Sequence, residues 1–322
     1  MSPSIPKSMK AAVIDEFGGP QALHVASIPV PELAEHEVLI RVRLAGIGVW
    51  DPWLREGGSS VERFPLVLGS DGAGIVAARG SKVRRFKVGD RVYAYALDNP
   101  KGGFYAEYAA VSEDDTAAIP ANVSTEDAGA LPASGITALL GLEKLKVGRD
   151  GALMILGASG GVGHVAIQLA KRMGARTLAV ASRRDGIELA RRLGADRAVD
   201  GHGSTVFGAV KNFAPDGLDA VLTFANSEKL TDALKHVKKG GRIAYPNGIE
   251  PEPAGSSTVK VYAYDGIASP QAFERLNGLI AQGPFQVVIS RTYRLEEAPR
   301  AHRDVLKHHL GKLALRMRNS HP

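Results

Sequence analysis

A short glycine-rich segment has residue types and spacing that could bind a ligand. It follows an apolar run at 152–156 and reads Leu156-Gly157-Ala158-Ser159-Gly160-Gly161-Val162-Gly163. Gly160 would let the backbone approach a pyrophosphate, and Gly163 would let a following helix pack closely on a sheet. The unpaired N–H groups at the start of that helix would attract phosphate. A tight turn without a ligand uses the same glycines, but the strand before it and the amphipathic helix after it predict dinucleotide binding by residues 158–163.

The end of the next apolar strand predicts which dinucleotide is bound. A site for NAD usually has an acidic residue there, about 20 residues after the glycines, which binds the ribose 2′-hydroxyl. This chain has Ser182, Arg183 and Arg184 instead. Arginine forms charge-assisted, often bidentate hydrogen bonds with phosphate, so the pattern favours the 2′-phosphate of NADP. In the alternative interpretation Ser182 only caps the next helix, with Asp185 in its first turn and the arginines in solvent.

Alternating strands and helices, from about residue 133 to 268, must position this glycine turn. Strands are predicted at 152–156, 177–181, 219–224, 242–245 and 259–263, and helices at 162–173, 185–193 and 228–237. Short apolar strands that alternate with helices predict an α/β fold with a doubly wound parallel sheet.

The rest of the chain is predicted to be β-rich. Strands are expected at 9–15, 37–44, 69–76 and 91–95, with a helix at 271–281, a strand at 287–293, a second helix and a last strand at 312–317. The segment after the parallel sheet is too short for a domain of its own, so we expect it to return to the N-terminal part. The predicted domains are a catalytic domain of residues 1–124 and 267–322, and a nucleotide-binding domain of residues 125–266.

The composition and net charge limit the kinds of ligand and binding partner that we expect. The 322 residues are 44% hydrophobic and 23% charged, as in ordinary globular proteins, and none is cysteine, which excludes disulfides and thiolate metal sites. The net charge is +6, but the densest basic stretch, 300–318, is interleaved with apolar residues. We therefore expect an anionic cofactor and no nucleic acid. No apolar run reaches the roughly 18 residues of a membrane span, and the N-terminus lacks the apolar core of a signal peptide, so a cytoplasmic protein is expected.

Further motifs, which together cover nearly the whole chain, carry a family resemblance. They are Met9-Lys10-Ala11, Gly69-Ser70-Asp71-Gly72-Ala73-Gly74-Ile75-Val76, Val88-Gly89-Asp90-Arg91-Val92, Gly103-Phe104-Tyr105-Ala106-Glu107-Tyr108, Gly135-Ile136-Thr137-Ala138, Gln168-Leu169-Ala170-Lys171, Leu193-Gly194-Ala195-Asp196 and Gly311-Lys312. With the glycine turn, they resemble the zinc-free quinone oxidoreductase (zeta-crystallin-like) branch of the medium-chain dehydrogenase/reductase superfamily. The resemblance implies a Rossmann domain and a GroES-like, partly open β-barrel catalytic domain, with the cofactor in the cleft between them. It also implies that Thr137, Phe224 and Ala225 lie near the nicotinamide, and that the protein is a homodimer formed through the last Rossmann strand, 259–263.

The expected absence of a metal follows from the same resemblance. Zinc-dependent members have a cysteine near position 48 and a His-Glu pair near position 70, whereas this chain has Gly48, Ser70 and Asp71. The nine histidines show no matching cluster, and His302 is predicted to lie on a helix surface. We therefore predict that no zinc stabilises an alkoxide here.

The first active-site loop departs from the family pattern. The quinone reductase branch often reads N-x-x-D-x-Y there, and this chain has Gly48, Asp51 and Trp53 at the three positions. An indole N–H donates a hydrogen bond but does not release its proton at neutral pH, so Trp53 cannot replace a tyrosine proton donor. Trp50 and Trp53 could stack on a flat substrate or could be packing residues. Asp51 is interpreted as an orienting group or a structural hydrogen-bonding residue rather than a base, and the catalytic proton donor stays unassigned.

The resemblance implies an NADPH-dependent reductase of quinones or α,β-unsaturated carbonyls. Two alternatives stay open from the sequence. One is an enoyl-thioester reductase acting on an acyl-CoA, and the other is a non-catalytic, crystallin-like protein that binds NADPH or RNA.

Overall fold

The computed structural model describes residues 5–61, 63–202, 206–225 and 228–317. Contacts within the chain divide it into two compact units. The first contains Met1–Ala133, Ala268–Asn277 and Ile289–Pro322, and the second contains Ser134–Ile267 and Gly278–Val288. The first unit is therefore assembled from both ends of the chain.

Sixteen strands lie in the described ranges. They are β1 Ser8–Ile14, β2 His24–Pro29, β3 Glu37–Ile47, β4 Leu66–Val67, β5 Asp71–Arg79, β6 Arg91–Tyr95, β7 Tyr108–Ser112, β8 Thr116–Ala118, β9 Ala152–Leu156, β10 Arg176–Ala181, β11 Arg197–Asp200, β12 Leu218–Thr223, β13 Val237–Pro246, β14 Lys260–Tyr264, β15 Ile289–Arg294 and β16 Lys312–Arg316.

Nine α-helices lie in the same ranges, with 3-10 turns at Pro20–Ala22, Glu113–Asp115 and Leu295–Glu297 and a π-helical turn at Leu54–Gly58. The helices are α1 Asp51–Trp53, α2 Thr125–Ala128, α3 Pro132–Leu145, α4 Gly163–Arg172, α5 Arg183–Arg192, α6 Val206–Phe213, α7 Glu228–Leu234, α8 Pro270–Ile280 and α9 Ala298–Asp304. No helix in the described part of the chain is both long and apolar enough to cross a membrane.

The first unit is built on two sheets. One has the order β2-β1-β4, and the other has the order β15-β16-β3-β5-β6-β8, with β7 also paired to β3. All of its strand pairs are antiparallel except β15 with β16. The long strand β3 is central because it pairs with β5, β7 and β16. The ends of β3 and β5 therefore bring the loop after residue 47 beside the residues just before Asp71.

The second unit contains one six-stranded parallel sheet in the order β11-β10-β9-β12-β13-β14. Strand order reverses between β9 and β12, and ligands of such sheets bind beyond the carboxyl ends of the strands at this point. The doubly wound parallel sheet predicted from the sequence is confirmed. Its buried apolar strands have the continuous hydrophobic character of strands covered on both faces.

Several helices and strands of the structure were not predicted from the sequence. Helix α3 is buried on nearly all sides, so it has no amphipathic period to detect. Strand β11 and helix α6 are short, and residue 237, expected in a helix, begins β13. The two units also differ from the expected domains, because residues 125–133 lie in the first unit and Gly278–Val288 in the second.

Candidate active site

The glycine turn of the second unit joins β9 to α4 at the carboxyl edge of the sheet. Gly157 has φ +74°, a conformation that side chains disfavour. A Cβ on Gly163 would overlap the carbonyl oxygen of Gly157, whereas a Cβ on Gly160 would lie 3.4 Å from that oxygen. Gly163 is thus required by packing, and the backbone at Gly160 is unobstructed. The turn has the form that the sequence predicts for a pyrophosphate cradle, and its ligand contacts stay a prediction.

Helix α4 carries two side chains, one turn apart, that bond to the glycine turn and to the segment Gly278–Val288. His164 is fully buried, with Nδ1 3.0 Å from the carbonyl oxygen of Gly160 and Nε2 accepting a hydrogen bond from the Val288 amide at 3.1 Å. Gln168 donates to the Gln286 carbonyl and accepts from the Gln286 amide, each at 2.9 Å. These contacts explain why Gly278–Val288 belongs to the second unit.

The basic residues predicted to select NADP follow β10. Arg183 and Arg184 begin α5 and are exposed, and Arg184 pairs with Glu188 at 2.8 Å. Arg183 has φ +61°, which is strained for a residue with a Cβ. Asp200, which no sequence pattern indicates, lies at the end of the neighbouring strand β11, and its carboxylate accepts a hydrogen bond from the Arg183 amide. This carboxylate fixes the backbone of Arg183, and hydrogen bonds from the His202 amide and then the Arg183 amide lower the pKa of Asp200.

Four further predicted cofactor contacts lie in the same unit. Phe224 follows β12, and its amide donates to the Leu156 carbonyl at 3.0 Å, so it borders the glycine turn. Ala225 is exposed beside it. Thr137 lies on α3, and its carbonyl accepts a hydrogen bond from the Tyr264 hydroxyl at 2.9 Å. Ser159, within the turn, is 4% exposed and borders Gly186 of α5.

A buried carboxylate, Asp51, organises the candidate loop of the first unit. Its Oδ2 accepts hydrogen bonds from the Gly48 amide at 2.8 Å and from the Tyr105 hydroxyl at 2.6 Å. The Ser70 hydroxyl donates to its other oxygen at 3.5 Å. Burial raises the pKa of Asp51 to about 6, against the opposing effect of the Tyr105 hydrogen bond. Asp51 thus fixes the loop after β3 onto the residues before β5 and β7.

The two tryptophans of this loop have different surroundings. Trp50 is half-buried against the core of the first unit, and its indole Nε1–H donates to Ser70 Oγ at 2.9 Å. Trp53 is 63% exposed, and its ring lies against Gly58. Trp50 is therefore fixed by a side-chain hydrogen bond, whereas Trp53 is mostly exposed.

The positions that hold zinc in other members do not fit a zinc ion. Gly48 has no side chain, and Ser70 Oγ is engaged by Trp50 and Asp51. Asp71 is fully buried with its Oδ1 4.0 Å from the buried ammonium of Lys312, whose charge would repel a metal ion. Burial raises the pKa of Asp71, and Lys312 opposes that rise. Among the described residues, no group of three or more His, Cys, Asp or Glu could hold a metal ion.

His302 was predicted to lie on a helix surface, and this was wrong. It is fully buried, with Nδ1 2.9 Å from Nη1 of Arg55, which is itself 1% exposed. Burial and the nearby guanidinium lower the pKa of His302 to about 3, so it is neutral. The Arg55 Nε also donates to the Gly18 carbonyl at 2.8 Å, which holds the segment after α1 in place. Arg55 is 247 residues away from His302 in the sequence, so the residues around His302 give no sign that it is buried.

Comparisons with known proteins agree with this architecture. The alcohol dehydrogenase GroES-like domain matches residues 34–121, and the zinc-binding dehydrogenase domain matches residues 161–260. The predicted β-rich catalytic domain and Rossmann domain are confirmed as the fold class.

Individual relatives match most of the chain. Mouse (Mus musculus) quinone oxidoreductase is 31% identical over 95% of this chain and 96% of its own length. A chloroplastic NADPH-dependent alkenal/one oxidoreductase of Arabidopsis thaliana is 35% identical over 89% of this chain and 73% of its own length. A solved structure named NAD-dependent alcohol dehydrogenase has a TM-score of 0.88 and 30% identity, covering 96% of this chain and 99% of the other. The chain is therefore an oxidoreductase that belongs to the quinone oxidoreductase branch of the medium-chain dehydrogenase/reductase superfamily.

Proposed function

We propose that this oxidoreductase uses NADPH to reduce a quinone or an α,β-unsaturated carbonyl compound, without a zinc ion. The observation that carries the proposal is the glycine turn of the parallel sheet followed, at the end of β10, by two exposed arginines where NAD sites have an acid. The names of similar proteins include both NADPH-dependent and NAD-dependent enzymes. The cofactor preference therefore rests on this chain's own residues.

The described residues fit the dinucleotide. Residues 158–163 and the N-terminus of α4 would hold the pyrophosphate, because Gly163 packs directly on the Gly157 carbonyl and Gly160 leaves ordinary contact distance beside it. Ser182, Arg183 and Arg184 would hold the 2′-phosphate, and Arg184 would exchange its exposed pairing with Glu188 for that contact. Thr137, Phe224 and Ala225 would border the nicotinamide.

When bound, NADPH supplies a hydride to the acceptor. The residues of the chain would position the acceptor and shape the electrostatics of its pocket. Trp53 cannot release a proton at neutral pH, and the Asp51 carboxyl is fully buried behind Gly48, Tyr105 and Ser70. The proton that completes the reduction therefore comes from solvent in this proposal.

We also propose a homodimer. Strand β14 pairs with β13 on one side, and within the described residues no strand pairs with its other edge. Val261, on this strand, is 38% exposed. An unpaired edge strand with an apolar side chain can extend its sheet into a second copy of the chain.

The test follows NADPH oxidation by absorbance with a panel of quinones, enones and an enoyl-CoA, with NADH in parallel and a saturated alcohol plus NADP⁺ as the control. We expect turnover of quinones or enones with NADPH and little with NADH. Alcohol oxidation alone would contradict the proposal, and strong turnover of the enoyl-CoA alone would identify a thioester reductase.

The double substitution Arg183→Gly plus Arg184→Ala tests the cofactor assignment. We expect the KM for NADPH to rise by roughly tenfold or more, because charge-assisted hydrogen bonds contribute about 1.5–3 kcal/mol, while the KM for NADH changes little. Arg192→Ala, an exposed arginine at the other end of α5, is the matched control. An equal effect on both cofactors would argue against a 2′-phosphate contact.

A further inference from the structure

Trp50 is clamped by three neighbours of the first unit. Its Nε1–H donates to the buried Ser70 at 2.9 Å, and the Lys312 ammonium lies 5.4 Å from the centre of the ring. A Cβ on Gly48 would overlap the six-membered ring of the indole. Gly48 therefore makes room for the ring of Trp50. The indole occupies the space next to the position where the family pattern has an asparagine side chain.

This clamping leaves the indole with little freedom to move. Lys312 is 4% exposed and is held on β16, and Ser70 is 2% exposed beside Asp51. Trp50 as a whole is nevertheless only half-buried where it packs against the core of the first unit, and the adjacent Val49 is 61% exposed, so the residue is not enclosed by that core. A ring that is already ordered loses little entropy when a ligand packs against it.

The chemistry of a fixed indole favours one kind of acceptor. A flat conjugated ring can pack against it in the offset or edge-to-face arrangements that aromatic pairs prefer, which adds about 0.5–1.5 kcal/mol to simple area burial. A short aliphatic alkenal offers no ring for such a contact. Trp50 can therefore contribute ring packing to the binding of a quinone, but not to the binding of a short aliphatic alkenal.

We propose that Trp50 is a specificity-determining residue, and that the chain prefers planar aromatic acceptors of the quinone type over short aliphatic alkenals. Gly48, Ser70 and Lys312 are positioning residues that hold the indole. The preference in turnover rests on the proposed reductase function, but the binding of a flat ring beside Trp50 does not.

The first experiment compares kcat and KM for 1,4-naphthoquinone and for 2-hexenal with NADPH. In Trp50→Leu we expect kcat/KM for the quinone to fall roughly tenfold through KM, with 2-hexenal changed by less than about twofold. Gly48→Ala should reproduce this loss with the indole still present, because the added methyl displaces the ring. Val49→Ala, an exposed change in the same loop, is the matched control and should leave the ratio of the two acceptors unchanged.

The second experiment measures binding without turnover. The chain has two tryptophans, so Trp53→Phe leaves Trp50 as the only source of indole emission. With NADP⁺ bound no hydride is available, and 1,4-naphthoquinone should quench this emission with a saturable dissociation constant. Adding Gly48→Ala should shift the emission maximum and weaken quenching roughly tenfold. Thermal unfolding and NADP⁺ affinity confirm that each variant is folded.

The outcomes separate the two proposals. Turnover with an unchanged acceptor ratio in folded Trp50→Leu and Gly48→Ala, or quenching that does not saturate, would overturn the role of Trp50 and leave the reductase function standing. Saturable quenching without turnover of any acceptor would overturn the reductase function and support the aromatic site. The absence of both would overturn both.

Discussion

Asp51 shows how one residue in the loop after β3 combines local and distant contacts. The Gly48 amide is three residues away in sequence and the Tyr105 hydroxyl is 54 residues away, yet both donate to the same carboxylate oxygen. Two such donors compensate for part of the cost of burying a charge, but burial still raises the pKa of Asp51 to about 6. At neutral pH the group is a buried carboxylate that orients the loop.

The raised pKa predicts a pH-dependent contribution to stability. The native state keeps the Asp51 proton to a higher pH than the unfolded chain, so the stabilising effect of protonation is lost as pH rises from about 4 to about 6. The loss is on the order of 3 kcal/mol, since one pKa unit corresponds to about 1.4 kcal/mol. Asp51→Asn does not titrate, so its unfolding free energy should lack this decrease.

Urea unfolding of both proteins at pH 4, 5, 6 and 7 measures this difference. Other carboxyl groups titrate in both proteins, so only the difference between the two curves reports on Asp51. Parallel curves over the whole range would show that the pKa of Asp51 is not raised in the folded protein.

At the scale of elements, α4 links the glycine turn to the segment Gly278–Val288. His164 and Gln168 are four residues apart and lie on one face of the helix. They bond to Gly160 at one end of this face and to Gln286 and Val288 along it. The geometry of the proposed phosphate cradle therefore depends on a stretch of chain more than one hundred residues away.

Gln168→Leu should weaken this link. The substitution introduces an apolar side chain of similar size and leaves the amide and carbonyl of Gln286 without their side-chain partner. We expect a loss on the order of 2 kcal/mol in unfolding free energy and faster amide hydrogen exchange at residues 284–288. Lys171→Ala on the same helix removes only an exposed ion pair with Asp196 and should cost less than about 1 kcal/mol. If both variants lost the same stability, Gln168 would have no special role.

At the scale of the whole molecule, the edge strand β14 is the feature that bears on assembly. The proposed homodimer should have a mass in solution twice the chain mass of 34.0 kDa, measurable by light scattering. Val261→Lys places a charge on this edge and should shift the mass to that of one chain. Phe207→Lys adds the same charge at another exposed apolar residue, 40% exposed on α6, and should leave the mass unchanged. A dimer that survives Val261→Lys would be formed through another surface.

The sequence by itself determined the parallel sheet, the glycine turn and the family. These features are local, because apolar strands, helical periodicity and glycine spacing are patterns within short stretches of consecutive residues. Helix α3 was not predicted from the sequence, because its burial on nearly all sides removes the amphipathic period.

Only the tertiary structure decided the surroundings of the candidate residues. It brought Lys312 and Ser70 to Trp50, Tyr105 to Asp51, Arg55 to His302, and Asp200 to the amide of Arg183. Each pair joins residues from different parts of the chain, several of them in loops beside strands, so no spacing rule within the sequence predicts it. Which tryptophan is fixed and which carboxylate is buried depend on these non-local contacts, because burial and hydrogen bonding are properties of packed elements and not of single residues.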